Sequence, residues 1–164
     1  MILAAAFSRL LPHPVNVAPF AAMALAGGVY LDKRFALTIP IAALLITDWF
    51  IGFYPILLFV YGSFIAIGFI GLWLKSHKKP LPVIGATLAS SVFFFVVTNF
   101  GVWIIGPELY PRTMSGLVEC YVAAIPFFRN TVVGDLVYTG ALFGIFELVS
   151  YFVKNPAKAQ QQTA

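Results

Sequence analysis

The residues best able to do chemistry gather in one stretch of the chain: Glu108, Tyr110, Arg112, Thr113, Glu119, Cys120, Tyr121, Phe127, Phe128, Arg129, Asn130 and Asp135. Aromatic rings that can stack on a planar molecule alternate there with hydrogen-bonding groups, the composition of a concave small-molecule site. Arg129, Asn130 and Thr131 stand directly before an apolar run. An Asn or Thr cap and the positive end of a helix dipole at that point would hold an anionic group. Arg129 and Asp135 fall six apart, so an ion pair between them requires the chain to fold back. Upstream, Asn99 and Trp103 are spaced i and i+4 and share one helix face, with Gly106 beside them. The candidate substrate-binding set is therefore Asn99, Trp103, Tyr110, Arg112, Tyr121, Arg129, Asn130 and Asp135, and alanine at Arg129 or Trp103 is expected to lower ligand affinity. Plainer roles compete with it: Tyr110 and Arg112 as interfacial anchors, Pro126-Phe127-Phe128 as packing, and an inward Asn99 that ties two helices together.

Other polar residues are few. Asp48, beside Trp49 near the end of an apolar run, reads either as a helix-end carboxylate reaching the interface, the preferred reading, or as a polar anchor at the mouth of a pocket. His13 is held extended between Pro12 and Pro14, and His77 falls on the opposite side of the membrane, so the two cannot share a metal. Cys120 is the single cysteine; a buried inert thiol is its default reading. Ala18, Ala22 and Ala26, with Gly27 and Gly28, form a small-residue ladder that permits close helix contact, inside the protein or towards a partner. Paired intramembrane aspartates, H-E-x-x-H, G-x-S-x-G, Walker A and dinucleotide patterns are all missing from the sequence, which argues against an enzyme and against self-energised transport. No metal and no cofactor is expected.

The elements that position these residues follow from composition. Of the 164 residues 61% are hydrophobic and 10% charged, with a mean hydropathy of +0.95. Soluble domains are roughly 45–50% apolar and about 25% charged, so a water-soluble globular fold is excluded. The net charge of +4 comes from short basic clusters between apolar runs, which suit lipid headgroups rather than nucleic acid. Counting uncharged stretches long enough to cross a bilayer predicts spans at about 35–50, 55–74, 82–105 and 131–153. Two shorter ones precede them, at about 1–11 and 17–31; the first lacks the charged start and small-residue cleavage site of a signal peptide. Met114 to Phe128 either crosses or lies as a re-entrant loop.

Charge placement favours six spans. With residues 106–130 as a long outer loop, one side collects Lys33, Arg34, Lys75, Lys78, Lys79, Lys154 and Lys158, seven residues, against Arg9, Arg112 and Arg129 on the other. A seventh span would reduce the bias to six against four. The positive-inside rule then puts both termini in the cytoplasm. The expected architecture is an all-α integral membrane protein, a six-helix bundle over residues 1–154 with a long, partly helical outer loop before the last helix. Residues 155–164 form a polar tail.

In this layout the chain resembles the S components, the substrate-binding subunits of energy-coupling-factor vitamin transporters. It is similar over nearly its whole length to an uncharacterised bacterial membrane family through Arg9-Leu10-Leu11-Pro12-His13-Pro14, Asn16-Val17-Ala18-Pro19, Asn99-Phe100-Gly101-Val102-Trp103, Tyr110-Pro111 and Ala124-Ile125-Pro126-Phe127-Phe128-Arg129-Asn130-Thr131 with Gly134-Asp135. The S-component resemblance implies a bacterial inner-membrane bundle that binds a vitamin-like metabolite with its outer loops, here residues 12–17, 51–54 and 106–130. It also implies docking, through an alanine ladder such as Ala18, Ala22 and Ala26, to a transmembrane coupling subunit with two ATPases. The rival expectation is a structural partner-binding subunit, of the rod-shape-determining kind, with no small ligand.

Overall fold

The computed structural model describes residues 17–106 and 108–154, and of Lys33 the backbone alone. Five helices run through them: α1 (Phe20–Tyr30), α2 (Lys33–Ile51), α3 (Leu57–Leu74), α4 (Pro80–Ile105) and α5 (Met114–Lys154). No strand occurs among the described residues. The last four are long and apolar enough to cross a membrane, and large apolar side chains such as Leu58, 80% exposed, and Trp49, 75% exposed, cover the outside of the bundle. The expected first span, 1–11, lies outside the described residues, as do Arg9, His13 and the tail.

The helix ends follow local chemistry. α4 starts after an extended Lys79 with Pro80 in its first turn, where the missing N–H has no intrahelical partner to lose. α2 stops at Gly52, whose φ of 104° is a backbone position that side chains other than glycine's rarely adopt. Pro55 follows in the turn to α3.

α1 is the centre of the molecule. It packs against α2, α3, α4 and α5, and ten of its eleven residues are buried. A helix that is apolar all round belongs inside a protein, and this one, about 16 Å long, is too short to span a bilayer. Its small residues allow close approach. A Cβ on Gly28 would overlap the backbone of Gly71 and Leu72, and one on Gly71 would sit 2.7 Å from Leu25 O. On α2, Pro40 cannot bond the Ala36 carbonyl, and Gly27 comes in against that oxygen: a Cβ there would meet it at 3.1 Å. The ladder of Ala18, Ala22 and Ala26 therefore faces inward, with Ala22 and Ala26 fully buried. It is an internal packing surface and not an outer docking face, because four helices surround it.

The region expected to be a long outer loop is largely helix. The connection from α4 ends at Thr113, and α5 continues unbroken through Pro126 to Lys154. Residues 114–128 thus form neither a separate helix nor a loop; they are the first turns of one continuous helix. Proline at 126 removes one backbone bond, which does not end a helix of otherwise apolar residues in a membrane setting. At 41 residues α5 is about 60 Å long, well beyond the roughly 40–45 Å of a whole bilayer.

The successive crossings sort the connections. The α1–α2 and α3–α4 turns share one end, where Lys75 Nζ donates to Leu31 O at 3.4 Å and Lys78 Nζ sits 4.9 Å above the Tyr30 ring. At that end Tyr30 OH also donates to Glu147 Oε1 at 2.6 Å. The α2–α3 turn and the α4–α5 connection lie at the opposite end.

Gly28→Ala and Gly71→Ala should each cost about 1–3 kcal/mol, the range for overpacking a close contact. Thermal unfolding in detergent is expected to show a clear drop in Tm for both. Gly62→Ala, whose Cβ meets nothing within 4 Å, should leave Tm near wild type.

Candidate functional site

Because α1 begins only at Phe20, it fills the half of the bundle nearest the basic end and leaves the other half open among the described residues. A cavity of about 590 Å³ occupies that half, within the 300–1,000 Å³ range of small-molecule pockets. Ile51, Tyr54 and Ile56, from the α2–α3 turn and its flanks, stand at its outer end, and Phe64 of α3 and Leu44 of α2 line it further in. α4 contributes Phe94, Phe95, Thr98 and Asn99; α5 contributes Ala124, Phe127, Phe128, Thr131 and Asp135.

The polar groups of this wall are few and oriented by their own helices. Thr98 Oγ1 donates to Phe94 O at 2.7 Å, Thr131 Oγ1 to Phe127 O at 3.1 Å, and Asn99 Nδ2 to Phe95 O at 2.8 Å. Each hydroxyl spends its single hydrogen on its own helix, so towards a ligand it is an acceptor. Asp135 is 4% exposed and takes a bond on Oδ2 from Ser91 Oγ at 2.7 Å, a link between α5 and α4.

Of the eight residues expected to bind substrate, Asn99 and Asp135 line the cavity. Trp103 and Arg112 are turned to the α4–α5 connection instead. The indole Nε1 donates to Pro111 O at 3.0 Å, and Arg112 Nη2 donates to Ile104 O at 2.7 Å, one of the terminal carbonyls that a helix cannot satisfy internally. Tyr121 belongs to the α4–α5 seam, its OH donating to Val96 O at 2.7 Å and its ring tilted on Phe95. Tyr110 is half-buried in the connection, and Asn130 half-buried on α5.

Arg129 is exposed while Asp135 is buried: a spacing of six in a continuous helix sends the two to different faces. The expected anion site at Asn130 and Thr131 is lost for a related reason. They lie inside α5 and not at its start, so their N–H groups are already used. Cys120 is buried, its Sγ 3.5 Å from Asn99 O. His77 stacks on Trp73 at the basic end. No group of three metal-ligating side chains forms among the described residues.

Asp48 also departs from the interfacial reading. It is fully buried, with Tyr61 OH donating to Oδ2 at 2.8 Å, and joins α2 to α3. Its neighbour Trp49 is turned outward by the 100° step of the helix.

Tyr54 falls in the expected outer loop 51–54, whereas Phe94, Phe95 and Thr98 are cavity residues outside the expected set. The signal for α4 was present: Thr87, Ser91, Phe94 and Thr98 are spaced by four, three and four residues, one stripe of a helix that lipid would not favour.

The whole arrangement falls within one family pattern, which matches residues 1–159. The chain belongs to DUF6580, a family of unknown function. No curated protein and no solved structure matches it. In this DUF6580 chain different residues line the cavity and hold the α4–α5 connection, so the two are separable by mutation.

Trp103→Phe removes the bond to Pro111 O and should cost about 1 kcal/mol of stability. Small-molecule binding in the cavity is expected to stay at the wild-type level, as measured by ligand titration beside the Tm.

Proposed function

We propose that this protein is a membrane-embedded binding and uptake protein for a small, vitamin-like metabolite, resembling an S component of an energy-coupling-factor transporter. The observation that carries this reading is the cavity: among the described residues, a half-open bundle core with aromatic walls and a handful of fixed polar groups. Packing a membrane bundle so as to leave about 590 Å³ open forgoes much dispersion energy. An occupant would restore it. The lysine-rich end supports a cytoplasmic placement of that side in a bacterial inner membrane, which turns the end with Tyr54 outward, the side from which a substrate would arrive. Transport energy would come from a coupling subunit with ATPases.

Arg129 favours a protein neighbour as well. Phe128 lies tilted against Phe95, near the middle of α4, with ring centroids 4.6 Å apart, so the adjacent exposed Arg129 is level with the middle of that apolar helix. A charge facing hydrocarbon there costs about 2.5–3.5 kcal/mol on insertion scales, a cost that a protein surface with an acceptor would offset.

Two experiments test these readings. Protein purified in mild detergent and then denatured should release a stoichiometric small molecule, detected by mass spectrometry. Ala124→Phe, which pushes a ring into the cavity, should release none. Equal release from both proteins would overturn the assignment of the cavity. A photo-crosslinking residue at Val133, one turn from Arg129 and 61% exposed, is expected to capture a membrane protein in cells. Labelling of lipid alone would refute a neighbour on this face.

A further inference from the structure

Taking the cavity as a binding site, we infer that its occupant is cationic: a protonated amine or similar donor-rich group on a flat, apolar body, with Asp135 as its counter-charge. Asp135 is the one carboxylic acid among the described wall residues, and no lysine, arginine or histidine joins it there. It is held in place by Ser91, and no ion pair to it forms among the described residues. A buried carboxylate in an apolar setting is costly without an opposite charge, and a bound cation supplies one.

The neutral polar groups point the same way. Thr98, Thr131 and Asn99 use side-chain hydrogens on the carbonyls of Phe94, Phe127 and Phe95. Towards the cavity the two threonines offer oxygen lone pairs alone, and Asn99 a carbonyl oxygen and its second N–H, so acceptors outnumber donors on this wall. An anionic ligand needs the reverse. The rings of Phe94, Phe95, Phe127 and Phe128 complete the match, since aromatic faces attract cations and stack on planar groups. A recognition site of this kind discriminates by charge, because a neutral ligand leaves the carboxylate uncompensated.

Three probes that share an indole body separate the charges: tryptamine (+1), tryptophol (0) and indole-3-acetate (−1). Titrated into the purified protein in detergent at neutral pH, tryptamine should bind at least tenfold more tightly than tryptophol, and indole-3-acetate most weakly. Asp135→Asn should bring tryptamine down to the tryptophol level and leave tryptophol unchanged. Asp135→Glu, which keeps the charge, should retain part of the preference and shows that the site still folds.

Equal affinity for the three probes, a preference for indole-3-acetate, or tryptamine binding indifferent to Asp135→Asn would each overturn the inference. If the probes bind equally and all are lost in Ala124→Phe, the binding site stands and only its charge preference falls. If no probe binds, the inference falls, and the molecule released by denaturation decides whether the binding reading falls with it.

Discussion

The close approach of α1 to α3, where Gly28 lies on the backbone of Gly71 with no side chain between them, sets the position of the other helices. In lipid, helices gain little from leaving their surroundings, because hydrocarbon tails are as apolar as leucine; contact must come from packing. Glycine and alanine bring the backbones together, and α1 then offers a surface on every side. α2, α3, α4 and α5 each rest on part of it. Since α1 is shorter than any helix around it, the same contact that organises one half of the bundle leaves the other half, among the described residues, without a central element.

The polar links are distributed to suit that asymmetry. Tyr30 to Glu147 and Lys75 to Leu31 tie the helices at the basic end, where water and headgroups are close. Deeper in, the ties are carboxylates held by a hydroxyl: Asp48 by Tyr61 across α2 and α3, and Asp135 by Ser91 across α4 and α5. The two pairs are alike in chemistry and differ in surroundings. Asp48 is closed off by its neighbours, whereas Asp135 borders the cavity. A carboxylate that joins helices can thus also face a ligand, and the difference lies in whether the space beside it is filled.

At the end opposite the lysines Trp103 and Arg112 serve the scaffold. Both reach backbone carbonyls of the α4–α5 connection or of the last turn of α4, and so fix how α5 enters the bundle. Asn99, Thr131 and Asp135 line the cavity further along the same two helices. Residues that look like ligand-binding groups by type therefore support the site from outside it.

Membrane character, the positions of α2, α3 and α4, and the gathering of lysines at one end were legible in the sequence, because each depends on local composition: apolar run length, proline and glycine at the turns, and charge excluded from hydrocarbon. Asn99 and Asp135 were legible as well, as polar residues in apolar runs. The sequence could not determine that α5 runs straight through Pro126. Whether one lost bond ends a helix depends on what surrounds it. Nor could it show that Asp48 turns inward while Arg129 turns outward, or that the alanine ladder is enclosed, since burial of a helix face is a property of its neighbours. The cavity belongs wholly to the tertiary structure: among the described residues a helix of eleven residues stands among helices of eighteen or more, and only their assembly shows the space left beside it.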